Sequence, residues 1–365
     1  MPVISGMVTS YDVPTNARDV SKAFYLIKKE ETPLLNAIPL GDAAKNTEHY
    51  YWDDVRQIRQ TVLTAGYTSG GGSLQVASTA GMVVNMLLAT NGKVYKATSI
   101  TDNTHVAVSV ADGGADANQA NGSVVLFLGT ASKEGKDYED RDYTTEVERY
   151  NVTQILDDYV RITGTEQSIT REVQDGDIIL KQIEKKLERL YLMLGRSIWN
   201  NPRVVPSDNN TPRILGSVDW FIRQNGYVPA SATFNVGNFD AFLLQLDKSG
   251  ANLGELWMNP ATLTYFSDLQ SSQVQMQRSD TDRGTYAVRY NSRYGHHLDL
   301  KTDMQTPVGG IYAFRTADVK LCPLMGRQFQ VKELAKTGDA DKRLLVGEYT
   351  LEVRNSAISG IFTPS

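Results

Sequence analysis

The loop AKTGDADKR, from Ala335 to Arg343, gathers the side chains of this sequence that are best suited to ion pairing. The charged residues around its Gly338 are Lys336, Asp339, Asp341, Lys342 and Arg343. A turn that only reverses the chain does not need this many charges, and an exposed ion pair within one chain contributes only ~0–1 kcal/mol. The loop therefore raises the question of which charges these side chains pair with.

The sequence lacks the motifs of the common catalytic, metal and cofactor sites. It has no GxSxG, HExxH, Walker-type or GxGxxG pattern. Of its four histidines, His296 and His297 are adjacent, and adjacent strand residues point to opposite faces. The glycine run SGGGS, Ser69–Ser73, is not followed by Lys-Ser/Thr and is typical of a flexible joint. We therefore predict no catalytic, cofactor-binding or metal-binding residues.

Composition limits the classes of function. The 365 residues are 41% hydrophobic and 22% charged, which is enough apolar material for a sizeable core. A net charge of −5 without a Lys/Arg-rich run disfavours direct nucleic-acid binding. Cys322 is the only cysteine, so no disulfide within the chain is expected. The start lacks signal-peptide features, which predicts folding in the cytoplasm. The most apolar run, Gly81–Ala89, is far shorter than the ~18 residues of a membrane span, so no membrane segment is expected.

The segments on both sides of the charged loop alternate with the period of β-strands, which predicts a β-hairpin with one buried face. Val331 lies before the loop, and EYTLEV lies after it. The predicted buried face carries Tyr349, Leu351 and Val353, and the opposite face carries Glu348, Thr350 and Glu352.

The segment from residue 73 to 138 indicates a small antiparallel β domain. Four short apolar or alternating runs, GMVVNML, GKVYKATSI, HVAVSV and SVVLFLG, are separated by turn-forming residues. SGGGS precedes the segment and the charged KEGKDYEDRD ends it, so it is typical of an insertion. The strand-like NVTQILDDYVRITGT that follows is expected to pair with the strand region before the insertion.

The strongest helical pattern runs from Asp177 to Asn201, where apolar residues recur at steps of three and four and Pro202 ends the pattern. The apolar positions are Ile179, Ile183, Leu187, Leu190, Leu194 and Ile198. Beyond it, helical pieces (FDAFLLQL, NPATLTYFSDLQ) alternate with strand pieces (TYAVRYN, HHLDLKT, GGIYAFR) up to about Thr316. This mixture predicts an α+β domain whose sheet is not simply parallel.

This order of segments resembles the major head proteins of tailed bacteriophages, which share the HK97-like fold named after phage Hong Kong 97. The resemblance is carried by TPLLNAIP, EHYYWDDV, NVTQILDDYVRITGTEQSI, PRILGSVDWFI and the hairpin ELAKTGD…GEYTLEVRN, which are distributed over the whole chain. It implies an α+β capsid fold with a small all-β insertion. The implied parts are an N-arm (1–47), E-loop strands (48–72 and 139–165), the inserted β domain (73–138), a P-domain spine helix region (166–202), an A domain (203–318) and a P-domain return hairpin with its P-loop (319–365).

The resemblance also implies a function and partners. The chain would be a structural protein that forms pentamers and hexamers of an icosahedral or prolate shell around phage DNA, without sequence-specific DNA binding. Scaffolding, portal and decoration proteins would be further partners, the virion capsid its location and the host cytoplasm its place of assembly. In such proteins the hairpin tip meets neighbouring subunits, so Lys336, Asp339, Asp341, Lys342 and Arg343 would pair between chains. Three alternatives stay open: an encapsulin-like bacterial shell, a hydrolase with a β accessory domain, and a receptor-binding tail module.

Overall fold

The structure is a computed structural model that describes residues 32–53, 59–131, 134, 146–169, 178–208, 210–269, 274–278, 285–336 and 338–365. The helices in these residues are α1 (Pro33–Ala37), α2 (Gly164–Ser168), α3 (Ile178–Asn200), α4 (Val218–Asn225), α5 (Val236–Ser249) and α6 (Pro260–Asp268). The strands are β1 (Glu48–Asp53), β2 (Gln60–Val62), β3 (Ser73–Gln75), β4 (Met86–Thr90), β5 (Lys93–Ile100), β6 (His105–Val110), β7 (Val124–Thr130), β8 (Val147–Val152), β9 (Gln154–Thr163), β10 (Glu255–Met258), β11 (Val274–Arg278), β12 (Thr285–Asn291), β13 (His297–Thr302), β14 (Ile311–Ala313), β15 (Val319–Pro323), β16 (Gln330–Glu333), β17 (Ala340–Val353) and β18 (Gly360–Phe362). Most of the predicted N-arm, residues 1–31, and nearly all of the charged segment 133–142 lie outside the described residues.

The long helix α3 forms as predicted and packs on a four-stranded antiparallel sheet. In that sheet β17 lies between β9 on one side and β15 and β16 on the other. Leu190, Leu194 and Ile198 are spaced by four residues, so they lie on one face of α3, and all three are buried. Each such side chain contributes roughly 1.5–3 kcal/mol when it leaves water. The helix and the sheet therefore hold each other in place.

The predicted hairpin is confirmed, but the prediction of a single buried face is wrong. β16 pairs antiparallel with β17, with Val331 opposite Leu345. Glu348, Thr350 and Glu352 are only 2%, 0% and 4% exposed. The reason is tertiary: β17 is a central strand, and near its C-terminal end the β1–β8 ribbon covers the face that α3 leaves free.

The segment NVTQILDDYVRITGT divides between two partners rather than pairing with one. Its first two residues end β8, which pairs antiparallel with β1 as predicted, with Glu48 opposite Val152. After Thr153 the chain continues as β9, which pairs with β17 instead. Leu156, Val160 and Ile162 of β9 alternate and are buried in the same core as α3, and this apolar face explains the change of partner.

The small β domain is a six-stranded antiparallel sheet in the order β2-β7-β4-β5-β6-β3. Three of the four predicted runs form β5, β6 and β7, whereas GMVVNML overlaps β4 only at Met86 and Leu87. The structure adds the three-residue strands β2 and β3. The sheet therefore begins at Gln60, before the predicted boundary at residue 73. SGGGS lies inside the domain and is not a hinge at its entrance, because the N–H groups of Ser69 and Gly70 donate to Asn118 Oδ1 and Asp116 Oδ2 at 2.8 and 2.7 Å.

The remaining domain carries a six-stranded mixed sheet in the order β11-β12-β13-β10-β14-β18. β10 and β13 are parallel and the other neighbours are antiparallel, which confirms that the sheet is not simply parallel. α5 and α6 form where helical pieces were predicted, and each begins after an asparagine, Asn235 or Asn259, whose side chain accepts a backbone N–H of the first turn. The C-terminal strand β18 returns to this sheet from the hairpin region.

Candidate subunit-contact site

The predicted charged residues lie at one end of the four-stranded sheet, where the connection from β16 enters β17. Lys336 Nζ lies 2.6 Å from Asp341 Oδ1. Gln167 of α2 donates to Asp341 Oδ2 at 2.9 Å. The hydrogen bonds from Lys336 and Gln167 lower the pKa of Asp341, and the bond to Asp341 raises the pKa of Lys336. Two of the five predicted residues therefore already pair with each other inside one chain.

The other predicted residues have separate surroundings. The guanidinium of Arg343 contacts the carboxylate of Glu333 across the hairpin. Asp339 accepts a backbone hydrogen bond from Gly164 through its carbonyl at 3.2 Å, and its side chain is exposed. Lys342 and Arg343 are adjacent on β17, so their side chains project to opposite faces of the sheet. The structure brings the five residues into one tip, hereafter the hairpin tip (residues 333–343 with α2), where Lys336 pairs with Asp341 and Arg343 pairs with Glu333.

The hairpin tip also exposes apolar side chains among its charges. Leu334 is 39% exposed and Ile169, directly after α2, is 55% exposed. The side chains of Lys336 and Glu333 are 66% and 67% exposed. Apolar groups surrounded by charges are typical of a protein contact with a polar rim. The arrangement can bind another protein surface, and it offers no group placed for bond-making chemistry.

A second exposed surface was not predicted from the sequence. Its residues, hereafter the aromatic strip, are Tyr50, Trp52, Tyr150, Arg203 and Trp220. Tyr50 and Trp52 are 48% and 55% exposed on one face of the β1–β8 ribbon. The rings of Tyr50 and Tyr150 stack with centroids 5.2 Å apart, and the Arg203 guanidinium lies over both Tyr150 and Trp220. Aromatic residues and arginine dominate the binding energy of many interfaces.

The alternation in HYYWD indicates a strand with two different faces, but it does not show which of the two faces is exposed. Tyr51 and Asp53 point inward and are buried, whereas Tyr50 and Trp52 point outward. Trp199 and Trp257, by contrast, are fully buried anchors of the core.

Buried polar groups lie where the ribbon covers β17. Thr153 Oγ1 and Arg213 Nη2 donate to Glu348 Oε1 at 2.6 and 2.8 Å, and Arg327 Nε lies 3.0 Å from its Oε2. Glu348 is therefore a satisfied buried carboxylate rather than part of a solvent-facing strand.

A second carboxylate, Glu352, lies two residues further along β17. Its Oε1 lies 2.6 Å from His49 Nε2 and 3.6 Å from Cys322 Sγ. Burial opposes ionisation of Glu352, but the bond to His49 and the charge of Arg354 lower its pKa to about 2. Burial raises the pKa of Cys322 to about 12, with Glu352 adding to the effect.

The adjacent histidines do not converge on a common site. His296 Nε2 lies 2.6 Å from Asp247 Oδ2, whereas His297 Nδ1 lies 2.8 Å from Asn291 Oδ1.

In the described part of the chain, none of the helices has the length and apolar composition that crossing a bilayer requires.

Comparison with known proteins identifies the family. The sequence profile described as SU10 major capsid protein matches residues 7–364, nearly the whole chain. The chain belongs to the SU10 major capsid protein family. It is therefore a structural protein of a phage capsid, as the resemblance implied.

This SU10-family capsid protein is similar to proteins of known sequence and structure. It is 25% identical over 284 residues to the major capsid protein of Escherichia phage Phieco32, covering 63% of this chain and 80% of the relative. Its fold is similar to the capsid of the native GTA particle, with a TM-score of 0.57 and 8% identity, covering 98% of this chain and 97% of that one. A structure from Mycobacterium phage Bobi gives a TM-score of 0.50 at 11% identity, covering 98% and 99%. These likenesses confirm the HK97-like α+β fold.

Proposed function

We propose that copies of this chain join into pentamers and hexamers that close into an icosahedral or prolate head shell around phage DNA. The shell assembles in the host cytoplasm with scaffolding, portal and decoration proteins, and the chain itself has no catalytic activity. The net charge of −5 without a basic run supports a shell that encloses DNA without reading its sequence.

The domains take separate roles in this proposal. α3 and the four-stranded sheet form the P domain, and the mixed sheet with α5 and α6 forms the A domain. The β1–β8 ribbon is the base of the E-loop and carries the six-stranded β domain as its insertion. Residues 1–47 act as the N-arm.

One observation carries the proposal: the hairpin tip exposes Leu334 and Ile169 beside the paired charges of Lys336 and Asp341. Two large apolar side chains within one charged tip are typical of a contact with a polar rim. A contact with a neighbouring subunit would bury them and place the surrounding charges of the tip, including Asp339, Lys342 and Arg343, opposite charges of the neighbour.

A charge swap separates contact between subunits from pairing within one chain. Lys336→Asp combined with Asp341→Lys restores an opposite-charge pair inside the tip but reverses both charges towards any neighbour. We expect the free energy of unfolding of the swapped subunit to lie within about 1 kcal/mol of the original, because exposed pairs contribute little to folding. We also expect electron microscopy to show no closed shells, since each reversed charge would meet a like charge.

The control swaps another surface ion pair, which lies away from the tip. Arg289 of β12 lies opposite Asp299 of β13, and their side chains are 45% and 49% exposed. Arg289→Asp with Asp299→Arg should leave assembly unchanged. Normal shells from the Lys336/Asp341 swap would show that the hairpin tip is only a solvated turn.

A further inference from the structure

The polar cluster between the ribbon and the four-stranded sheet brings together three different metal-ligand types. His49 comes from β1, Cys322 from β15 and Glu352 from β17. One ligand atom from each, the histidine nitrogen, the sulfur and a carboxylate oxygen, lie within 4.8 Å of one another. Lys320 pairs with Glu352 and Cys322 with Thr350, so Cys322 and Glu352 are diagonal neighbours on the same face of the sheet.

We propose that His49, Cys322 and Glu352 form a binding site for one divalent transition-metal ion of the zinc type. Imidazole nitrogen, thiolate and carboxylate are the three ligand types that zinc uses in proteins. Three protein ligands leave a fourth tetrahedral position for water. The His49 side chain lies at the rim of the cluster and is 16% exposed, whereas Cys322 and Glu352 are buried.

One distance between ligand atoms already fits a tetrahedral site. Ligand atoms 2.0–2.3 Å from an ion lie roughly 3.3–3.6 Å from each other. The 3.6 Å between Cys322 Sγ and Glu352 Oε1 already matches this spacing. The 2.6 Å between His49 Nε2 and Glu352 Oε1 is a hydrogen bond, so the imidazole and the carboxylate would separate by several tenths of an ångström to admit the ion.

Charge favours the same conclusion. A divalent ion with one thiolate, one carboxylate and a neutral imidazole has no net charge, which suits a buried position. Binding forms the metal–sulfur bond and releases the thiol proton of Cys322 to solvent. The second oxygen of Glu352 stays with Arg354, whose Nε donates to it at 2.9 Å, and this bond orients the carboxylate towards the site.

The position suggests what the ion would do. His49 is the only ligand on the ribbon, and the other two lie in the four-stranded sheet. The ion would therefore fasten the base of the ribbon to that sheet. This inference does not depend on how the subunits contact one another.

Cobalt(II) is the direct probe, because a cobalt–thiolate bond gives charge-transfer absorption in the near ultraviolet and four-coordinate cobalt gives strong visible bands. Cys322 is the only cysteine, so any thiolate band from the full-length chain must arise from it. We expect the bands to saturate at one cobalt per chain and to disappear when zinc is added. Cys322→Ser should abolish the charge-transfer band, and His49→Gln should weaken binding at least roughly tenfold.

His296→Gln is the matched control, since His296 has the same 2.6 Å contact with a carboxylate, that of Asp247, and should leave cobalt binding unchanged. Because Cys322→Ser could disturb folding, a second measurement uses the unchanged protein: zinc should slow alkylation of Cys322 and raise the melting temperature. The proposal is overturned if cobalt gives no thiolate band, if zinc leaves the alkylation rate unchanged, or if His296→Gln weakens binding as much as His49→Gln.

Discussion

Asp303 connects three parts of the fold through one buried carboxylate, and its replacement by asparagine should destabilise all of them. It is 2% exposed and follows β13. Its Oδ2 accepts the backbone N–H of Leu34 at 3.2 Å and the indole N–H of Trp199 at 3.0 Å, and its Oδ1 accepts the N–H of Gln305 at 2.8 Å. The carboxylate thereby satisfies a free N–H at the start of α1 and orients the tryptophan near the C-terminal end of α3.

The magnitude follows from counting acceptors. Asparagine has the same shape but only one acceptor oxygen, so its NH₂ group must face either Gln305 or the Leu34 and Trp199 pair. At least one buried N–H loses its partner, which costs about 1–3 kcal/mol, and the remaining bonds lose the added strength of a charged acceptor. Removing a buried charge returns part of this cost. We expect a net loss of about 2 kcal/mol and a melting temperature lower by roughly 3 °C.

The assay is thermal unfolding of unassembled subunits followed by circular dichroism. Asp299→Asn is the control, because Asp299 makes an exposed pair with Arg289 and should contribute less than ~1 kcal/mol. A second comparison combines Asp303→Asn with Trp199→Phe, which removes the indole donor. The two changes share one hydrogen bond, so their effects should be less than additive. Equal melting of Asp303→Asn and Asp299→Asn, or full additivity with Trp199→Phe, would refute this reasoning.

Two further predictions concern the other surfaces. Trp52→Ser should change the free energy of unfolding of the subunit by no more than ~0.5 kcal/mol, because Trp52 is 55% exposed, yet it should impair shell formation. The control Tyr294→Ser, at a tyrosine that is 51% exposed, should leave shell formation unchanged. Normal assembly of Trp52→Ser would exclude the aromatic strip as a contact between subunits. In the small β domain, the hydrogen bonds from Gly70 and Tyr67 hold the pKa of Asp116 below its ordinary 3.8, so the stabilisation by Asp116 is full above that value and is lost as the pH falls through the lower folded pKa. Asp116→Asn should therefore have a lower melting temperature than the original at neutral pH, and this difference should narrow below pH 3.8. A difference in melting temperature that does not depend on pH would contradict the prediction.

Local periodicity was enough to predict the elements whose own residues determine them. The steps of three and four that end at Pro202 predicted the C-terminal end of α3 to within one residue, and three of the four apolar runs of the small domain correspond to β5, β6 and β7. Three-residue strands such as β2 and β3 are too short for a periodic signal. For this reason the glycine run between them looked like a boundary, although its backbone is tied to Asp116 and Asn118.

Burial imposed by distant segments could not be predicted in this way. Alternation along β17 separates apolar from polar residues, but it does not show that Arg213, Arg327 and His49 come from elsewhere to satisfy the polar face. The convergence of His49, Cys322 and Glu352 has the same origin. These residues are separated in sequence by 273 and 30 positions (322 − 49 and 352 − 322), and only the stacking of the ribbon on the sheet brings them together. The charged loop was visible because its residues are neighbours in sequence.

β17 places the two proposed sites on one continuous strand. The hairpin tip lies at its start, near Ala340, and the His49 cluster lies at its end, near Glu352. Its 14 residues span roughly 43 Å at ~3.3 Å per residue, and β9 and β15 pair with it over its full length. A force applied to the tip by a neighbouring subunit therefore acts along a strand held by hydrogen bonds throughout, and it reaches the base of the ribbon without crossing a loop. A metal ion at the far end would fix the ribbon to the strand that carries this force, so shells should resist disruption better with the ion bound even though it lies far from the tip.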